Sequence, residues 1–90
     1  MVQYEIKIEG RVQGVGFRYF VQKWAAELHI TGWVNNTVDG NVVVMAHGEL
    51  ENMEVFLDQL MIGPTMARVN RLTKTAIPGQ EKFDNFRVRY

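Results

Sequence analysis

The chain contains neither cysteine nor serine among its 90 residues. Without cysteine it can form no disulfide and no thiolate metal site, and nothing in it points to an oxidising compartment. The usual thiol and hydroxyl nucleophiles are missing apart from five threonines, which disfavours covalent catalysis. The N-terminus also lacks the apolar core of a signal peptide, and no apolar run approaches the length of a membrane span. We therefore expect a soluble, cytoplasmic protein with no membrane partner.

Net charge is absent too, because ten basic residues balance ten acidic ones. A neutral chain is a poor candidate for a protein whose main task is to hold nucleic acid. The charge is nevertheless uneven: residues 68–90 hold six basic and two acidic residues, a net of +4, which leaves −4 on residues 1–67. That segment could form a weakly basic face that attracts anionic substrates, although ordinary solvated strand faces explain it better.

The length and the hydrophobic periodicity together predict one domain over residues 1–90. Alternating apolar residues predict strands, and apolar residues three or four positions apart predict helices. The predicted elements are a strand from Val2 to Ile8, a helix from about Val15–Phe17 to Leu28, strands at Ile30–Asn36 and Val42–His47 joined at Asp39-Gly40, a helix from Leu50 to Met61 stopped by Gly63-Pro64, and strands at about Ala67–Thr75 and Phe83–Tyr90. This order, βαββαβ plus a terminal strand, predicts an α+β, ferredoxin-like α/β sandwich with two helices on one face of an antiparallel sheet. The pairing of the last strand stays open.

The segment GRVQGVGFR, Gly10 to Arg18, joins the first strand to the first helix. The first N–H groups of a helix have no intrahelical partner and carry part of the positive end of the helix dipole. Gly14 and Gly16 allow a sharp turn that brings successive N–H groups close to a ligand, and Arg18 adds a planar fork of donors. The loop therefore suits an oxyanion such as phosphate, although its glycine spacing alone fits a turn without a ligand equally well. It matches neither a Walker A loop nor a dinucleotide fingerprint.

The predicted topology explains how Asn36 could reach that loop. In a split βαβ unit the first two strands run parallel, with another strand between them, so their C-terminal ends share one edge of the sheet. The loop follows the first strand and Asn36 ends the second. Taken alone, Asn36 is better explained as a turn asparagine that serves the hairpin. Asn35 should point to the opposite face, because neighbouring strand residues alternate.

The remaining polar candidates have simpler explanations than catalysis. His29 and His47 are placed at the end of a helix and the end of a strand, with no nucleophile or second ligand beside them, and we expect both to be structural or surface residues. Glu49 and Glu51 lie at a helix start, where solvated carboxylates stabilise the dipole. The sequence predicts no metal site and no cofactor.

Several segments together resemble the acylphosphatase family. The loop GRVQGVGFR is followed by Gly32-Trp33-Val34-Asn35-Asn36-Thr37 and Asp39-Gly40, and the likeness continues through Gly63-Pro64, Ala67, Val69 and the closing Phe86-Arg87-Val88-Arg89-Tyr90. It covers nearly the whole chain. In that family the loop backbone and its arginine bind phosphate, and an asparagine of the Gly-Trp-Val segment orients the attacking water. The resemblance implies phosphate binding by Gln13, Gly14, Val15, Gly16, Phe17 and Arg18, and catalytic roles for Arg18 and Asn36.

The implied reaction is hydrolysis of acyl phosphates. We expect a small-molecule substrate and phosphate as the partners, and we expect the protein to be a monomer. An acyl phosphate has a good leaving group, so positioning and charge stabilisation can carry most of the catalysis.

An RNA-recognition module shares the element order but needs aromatic residues on a central strand, and residues 41–47 contain none. A regulatory anion-binding domain, or a catalytically idle relative, is harder to exclude, because binding and hydrolysis would use the same loop. A small-molecule sensing domain that pairs through its sheet edges is a further alternative.

Overall fold

The computed structural model describes residues 1–78 and 82–90. Its five strands and two helices follow the predicted order and confirm the ferredoxin-like fold. They are β1 (Val2–Arg11), α1 (Phe17–Glu27), β2 (Thr31–Asn36), β3 (Val42–Gly48), α2 (Leu50–Ile62), β4 (Arg68–Ala76) and β5 (Phe86–Arg89). In the part of the chain so described, neither helix is long and apolar enough to cross a membrane.

The strands form one sheet in the order β4-β1-β3-β2-β5. β1 and β2 both pair antiparallel with β3, which lies between them, so they run parallel to each other. Ile8 of β1 and Asn36 of β2 are both paired with Val42, from opposite sides of β3. The C-terminal ends of β1 and β2 therefore lie at one edge of the sheet, as the topology predicted.

The last strand corrects one detail of the expected sheet. β5 pairs parallel with β2, with Gly32 opposite Phe86, so the sheet is mixed rather than wholly antiparallel. Ala76, the last residue of β4, pairs with Tyr4 near the start of β1. β4 therefore finishes on the side of the sheet where β2 begins. A strand that starts there and lies beside β2 must run in the direction of β2. β5 is also shorter than predicted, because its pairing begins at Phe86 and not at Phe83.

The core lies between the helices and one face of the sheet. Each helix buries residues three or four positions apart, which places them on a single face. The buried side chains are Phe17, Val21 and Ala25 from α1, Met53, Phe56 and Leu60 from α2, and Ile6, Ile8, Val34, Val42, Val44 and Ala46 from the sheet. This packing holds the start of α1 against the sheet edge where β1 and β2 end.

β1 extends to Arg11, although Gly10 suggested that the strand would end before it. Gly10 pairs with Val69 and Arg11 with Arg68, after a register shift between Glu9 and Gly10. Pairing with β4 thus outweighs the local preference of Gly10 for a turn, and a bulge absorbs the irregularity. The connection from β1 to α1 shortens to residues 12–16, and the buried Val12 anchors its start.

Candidate functional site

A cavity of about 220 Å³ opens at the edge where β1 and β2 end. Residues from the β1–α1 loop, from α1, from the end of β2 and from the last strand converge on it. The lining residues are Val12, Gly14, Gly16, Phe17, Arg18, Tyr19, Gln22, Asn36, Val88 and Tyr90. The structure therefore brings Arg18 and Asn36, the two residues implied to be catalytic, to the same cavity as the glycines of the loop.

The loop backbone has the shape that an anion needs. Gly14 has φ +72° and Gly16 has φ +78°, both in the left-handed region that favours glycine. Gly16 is the N-cap of α1, and the first helical hydrogen bond runs from Phe20 N–H to Gly16 C=O at 3.1 Å. The N–H groups of residues 17–19 precede that bond, so the positive end of the helix dipole faces the cavity. Phe17 buries its ring in the core, which leaves its backbone for a ligand.

The Arg18 side chain is half-buried and is held by the segment at the end of β5. Its Cζ lies 4.7 Å from the centroid of the Tyr90 ring, and its Nη1 donates to the Arg89 carbonyl at 3.5 Å. No carboxylate of residues 1–78 or 82–90 forms a salt bridge with it. The positive charge of Arg18 is therefore available to an anion in the cavity.

Asn36 is the last residue of β2 and is half-buried. Its side chain lies on the same face as the buried Val34, whereas Asn35 lies on the opposite face, as strand alternation predicted. A carboxamide can both donate and accept hydrogen bonds, so this position suits a group that orients a small polar molecule.

Gln13 and Val15 belong to the loop, but their side chains are engaged away from the cavity. Gln13 Nε2 donates to the Thr37 and Asn41 carbonyls, each at 2.7 Å, and Val15 packs against the core. Only the backbones of these two residues can serve the predicted phosphate site. Their assignment as phosphate-binding residues stays a prediction, as do the roles of Arg18 and Asn36.

Sequence reasoning missed several residues that complete the cavity. Gln22 lies one helical turn after Arg18, at the i+4 spacing that places two side chains on one helix face, and this spacing could have identified it. Tyr19 follows Arg18 directly and is exposed. Val88 and Tyr90 lie far along the chain from the loop, and only the parallel pairing of β5 with β2 places them there.

The turn between β2 and β3 is closed by its own hydrogen bonds. Thr37 N–H donates to the Asn41 carbonyl at 2.9 Å, and the Asn41 N–H donates to Thr37 Oγ1 at 3.1 Å. The Thr37 hydroxyl also donates to the Asp39 carboxylate. This hydrogen bond is the main reason why the pKa of the exposed Asp39 lies below its ordinary value. The charge of Lys7 lowers the pKa of Asp39 by a smaller amount.

The other polar candidates lie outside the cavity. His29 follows α1 with φ +54° and is exposed, whereas His47 lies in β3. Glu49 is the N-cap of α2, and Glu51 lies in the first turn of that helix, where both suit its dipole. The described residues contain no cluster of three or more histidine, cysteine, aspartate or glutamate side chains that could hold a metal ion.

Comparisons with known proteins extend over nearly the whole chain and agree on its fold. The family model described as acylphosphatase matches residues 4–88. The acylphosphatase of Oceanobacillus iheyensis is 41% identical over 91 residues, which cover all of both chains. The crystal structure of acylphosphatase from Bacillus subtilis has a TM-score of 0.97 and 38% identity, again over all of both chains. An acylphosphatase structure from Coxiella burnetii has a TM-score of 0.93 and 38% identity over 98% of this chain and 92% of that chain. The chain therefore belongs to the acylphosphatase family.

Proposed function

We propose that this protein is an acylphosphatase that hydrolyses the carboxyl–phosphate bond of acyl phosphates to a carboxylate and inorganic phosphate. The observation that carries the proposal is the convergence of Arg18, Asn36 and the glycine loop on one cavity. A binding site needs only the loop and the arginine. The carboxamide of Asn36 adds a group that can hold a second small molecule beside the bound anion.

The phosphoryl group binds in the loop. The N–H groups of residues 13–18 and the guanidinium of Arg18 donate hydrogen bonds to its oxygens and offset their negative charge. These donors are partly ordered before the substrate arrives, because Phe17 is buried in the core and Arg18 contacts Tyr90 and Arg89. Donors that are ordered in advance also stabilise charge that develops on the phosphoryl oxygens during the reaction.

Asn36 holds the attacking water in line with the bond that breaks. The water oxygen forms a bond to phosphorus as the bond between phosphorus and the acyl oxygen breaks, and the carboxylate leaves with the electron pair. One water proton passes to a phosphoryl oxygen, so no protein base is required. Among the described residues that line the cavity, none is acidic and none is histidine, which fits a substrate that accepts its own proton.

We also propose that the chain acts as a single domain over residues 1–90, as a cytoplasmic monomer and without a metal ion. The cavity lining offers amides, a guanidinium and phenols, which are poor ligands for divalent metals compared with carboxylate, thiolate and imidazole. Hydrolysis in the presence of a chelator tests the last point, and a mass measurement in solution tests the monomer.

The central test uses benzoyl phosphate or acetyl phosphate with excess chelator, and follows release of inorganic phosphate. We expect turnover by the unaltered protein and strong loss in both Arg18→Ala and Asn36→Ala. Arg18→Ala should also lose competitive inhibition by inorganic phosphate, whereas Asn36→Ala should keep it. Asn35→Ala is the matched control, because it removes the same side chain one residue away on the opposite face of the sheet.

The outcomes separate the enzyme from its rival. Phosphate binding without any turnover by the unaltered protein would favour a regulatory anion-binding domain. Equal loss of phosphate binding in Arg18→Ala and Asn36→Ala would contradict the division of roles. Equal loss of turnover in Asn35→Ala and Asn36→Ala would point to damage to β2 and not to loss of a water-binding group.

A further inference from the structure

The carboxamide of Gln13 links the phosphate loop to the turn that follows Asn36. Its Nε2 donates to the carbonyl oxygen of Thr37 and to that of Asn41, each at 2.7 Å. The two acceptors lie 24 and 28 residues further along the chain. Both bonds are partly buried, and their length is at the short end of the range for N–H···O bonds.

The two acceptors belong to the hydrogen-bonded part of the β2–β3 turn. Thr37 N–H donates to the Asn41 carbonyl at 2.9 Å, and Gly40 N–H donates to the Thr37 carbonyl at 3.2 Å. The turn therefore has hydrogen bonds of its own, and the carboxamide of Gln13 adds a connection between two separate segments. Thr37 is covalently joined to Asn36, so fixing the Thr37 carbonyl also fixes the backbone that carries the Asn36 side chain.

Gln13 lies at a point in the loop where fixing its side chain also fixes the residues that follow it. It lies between Val12, which is 1% exposed, and Gly14, where the chain enters the left-handed region. The loop residues that follow hold the phosphate in the proposed reaction, and Asn36 holds the water. The distance between these two reactants must be correct for in-line attack, and a displacement of about 1 Å can cost 100-fold in rate.

We infer that Gln13 is a positioning residue, whose carboxamide sets the distance between the phosphoryl group in the loop and the water on Asn36. It acts on turnover rather than on phosphate affinity, since its side-chain donors are already used by Thr37 and Asn41. This inference rests on the proposed function. It gives Gln13 two separate roles: its backbone can bind phosphate, while its carboxamide holds the loop against the turn.

The test compares two substitutions of similar length. Gln13→Met keeps an unbranched chain and removes both donors, so the rate constant for turnover should fall about 10-fold or more. The inhibition constant of inorganic phosphate should stay within about 3-fold, because the loop amides and Arg18 remain. Gln59→Met, the same exchange on α2 and away from the cavity, is the control and should change neither value.

Gln13→Glu adds a readout that general loosening of the fold would not give. At neutral pH its carboxylate faces two carbonyl oxygens, and turnover should fall at least as far as in Gln13→Met. Two acceptors facing the carboxylate raise its pKa. As the pH falls through that pKa, the protonated carboxyl can donate to one carbonyl, so turnover relative to the unaltered protein should rise. Gln13→Met should show no such rise, and this contrast assigns the rise to the added carboxyl group, because Asp39 titrates in Gln13→Met as well.

Three results would overturn the inference in a protein that hydrolyses acyl phosphates. They are unchanged turnover in Gln13→Met, a phosphate inhibition constant that rises in step with the loss of turnover, and identical pH profiles for the two variants. Inactivity of the unaltered protein would instead defeat the proposed function. In that case NMR still decides the positioning role: in Gln13→Met the side-chain amide signal of Asn36 should shift, while phosphate still perturbs the Gly14 and Gly16 amides. An unshifted Asn36 signal would refute it.

Discussion

The guanidinium of Arg18 lies over the ring of Tyr90, with its Cζ 4.7 Å from the ring centroid. Its Nη1 also donates to the carbonyl of Arg89, at 3.5 Å. A charged side chain on a helix would otherwise sample several rotamers, and ordering it on binding costs conformational entropy. The last residue of β5 and Tyr90 therefore help to order the arginine of the phosphate loop before a substrate binds.

Removal of the Tyr90 ring should weaken the reaction modestly. Tyr90 is almost fully exposed, and an exposed cation–π contact contributes about 0.5–1 kcal/mol, so kcat/KM of Tyr90→Ala for benzoyl phosphate should fall about 2- to 5-fold. Tyr90→Phe retains the aromatic face and should match the unaltered protein. A loss in Tyr90→Phe equal to that in Tyr90→Ala would assign the effect to the phenol hydroxyl.

Arg18→Lys should be a poor enzyme even though it keeps the positive charge. A lysine ammonium is a point charge, whereas the guanidinium presents a planar fork that binds two phosphate oxygens at once. Loss of one well-aimed donor costs about 100-fold in turnover, and Arg18→Lys should lose about that much. The measurement is steady-state hydrolysis with a phosphate inhibition constant for each protein. Near-normal turnover would show that charge alone is sufficient at this position.

The residues of the site divide into those that local patterns predict and those that they cannot. The helix start at Phe17 follows from spacing, and the shared edge of Arg18 and Asn36 follows from the βαββαβ order, since a right-handed crossover makes β1 and β2 parallel. The side-chain contacts of Tyr90 and Gln13 could not be predicted in this way, although both residues belonged to predicted segments. Their contacts join segments far apart in the chain, and neither side chain belongs to a repeating pattern.

The strand ends that were misplaced have the same cause. Gly10 looks like the start of a turn, but β4 supplies hydrogen-bond partners that extend β1 to Arg11. Phe83 fits a strand by composition, but the pairing of β5 with β2 begins only at Phe86. In both places the tertiary partner decides where the strand begins or ends, and local propensity is a weak guide to it.

His29→Gly should stabilise the protein. His29 follows Leu28, the C-cap of α1, and adopts φ +54°. The Ile30 N–H donates to the Ala25 carbonyl at 2.8 Å, and the His29 N–H donates to the Ala26 carbonyl at 3.4 Å. This is the Schellman helix end, which glycine favours because it has no Cβ. Glycine relieves the backbone strain at this position, but it also gives the unfolded chain more conformational entropy. The net increase in the free energy of unfolding should be about 0.5–1 kcal/mol.

Urea denaturation measures this effect, with Ala26→Gly as the control. That exchange places glycine at an exposed site inside α1, and it should destabilise the protein by about 1 kcal/mol. A loss of stability in both variants would show that the imidazole of His29 makes a contact worth more than the backbone strain.

Asp39→Asn should remove part of the acid sensitivity of the protein. The Thr37 hydroxyl bond holds the pKa of Asp39 below its ordinary value, so in acid the unfolded chain takes up this proton more readily than the folded one. The carboxylate therefore stabilises the fold at neutral pH, and this contribution is lost as the pH falls from the ordinary aspartate range through the lowered pKa. Asparagine keeps the turn preference before Gly40 but does not titrate.

The measurement is the free energy of unfolding of both proteins in urea from neutral pH down to the acid limit of the fold. The other carboxylates titrate in both proteins, so the difference between the two curves isolates Asp39. That difference should favour the unaltered protein at neutral pH and shrink as the pH falls. A difference that stays constant with pH would mean that Asp39 has the same pKa in the folded and unfolded chains, and that its bond with Thr37 does not depend on charge.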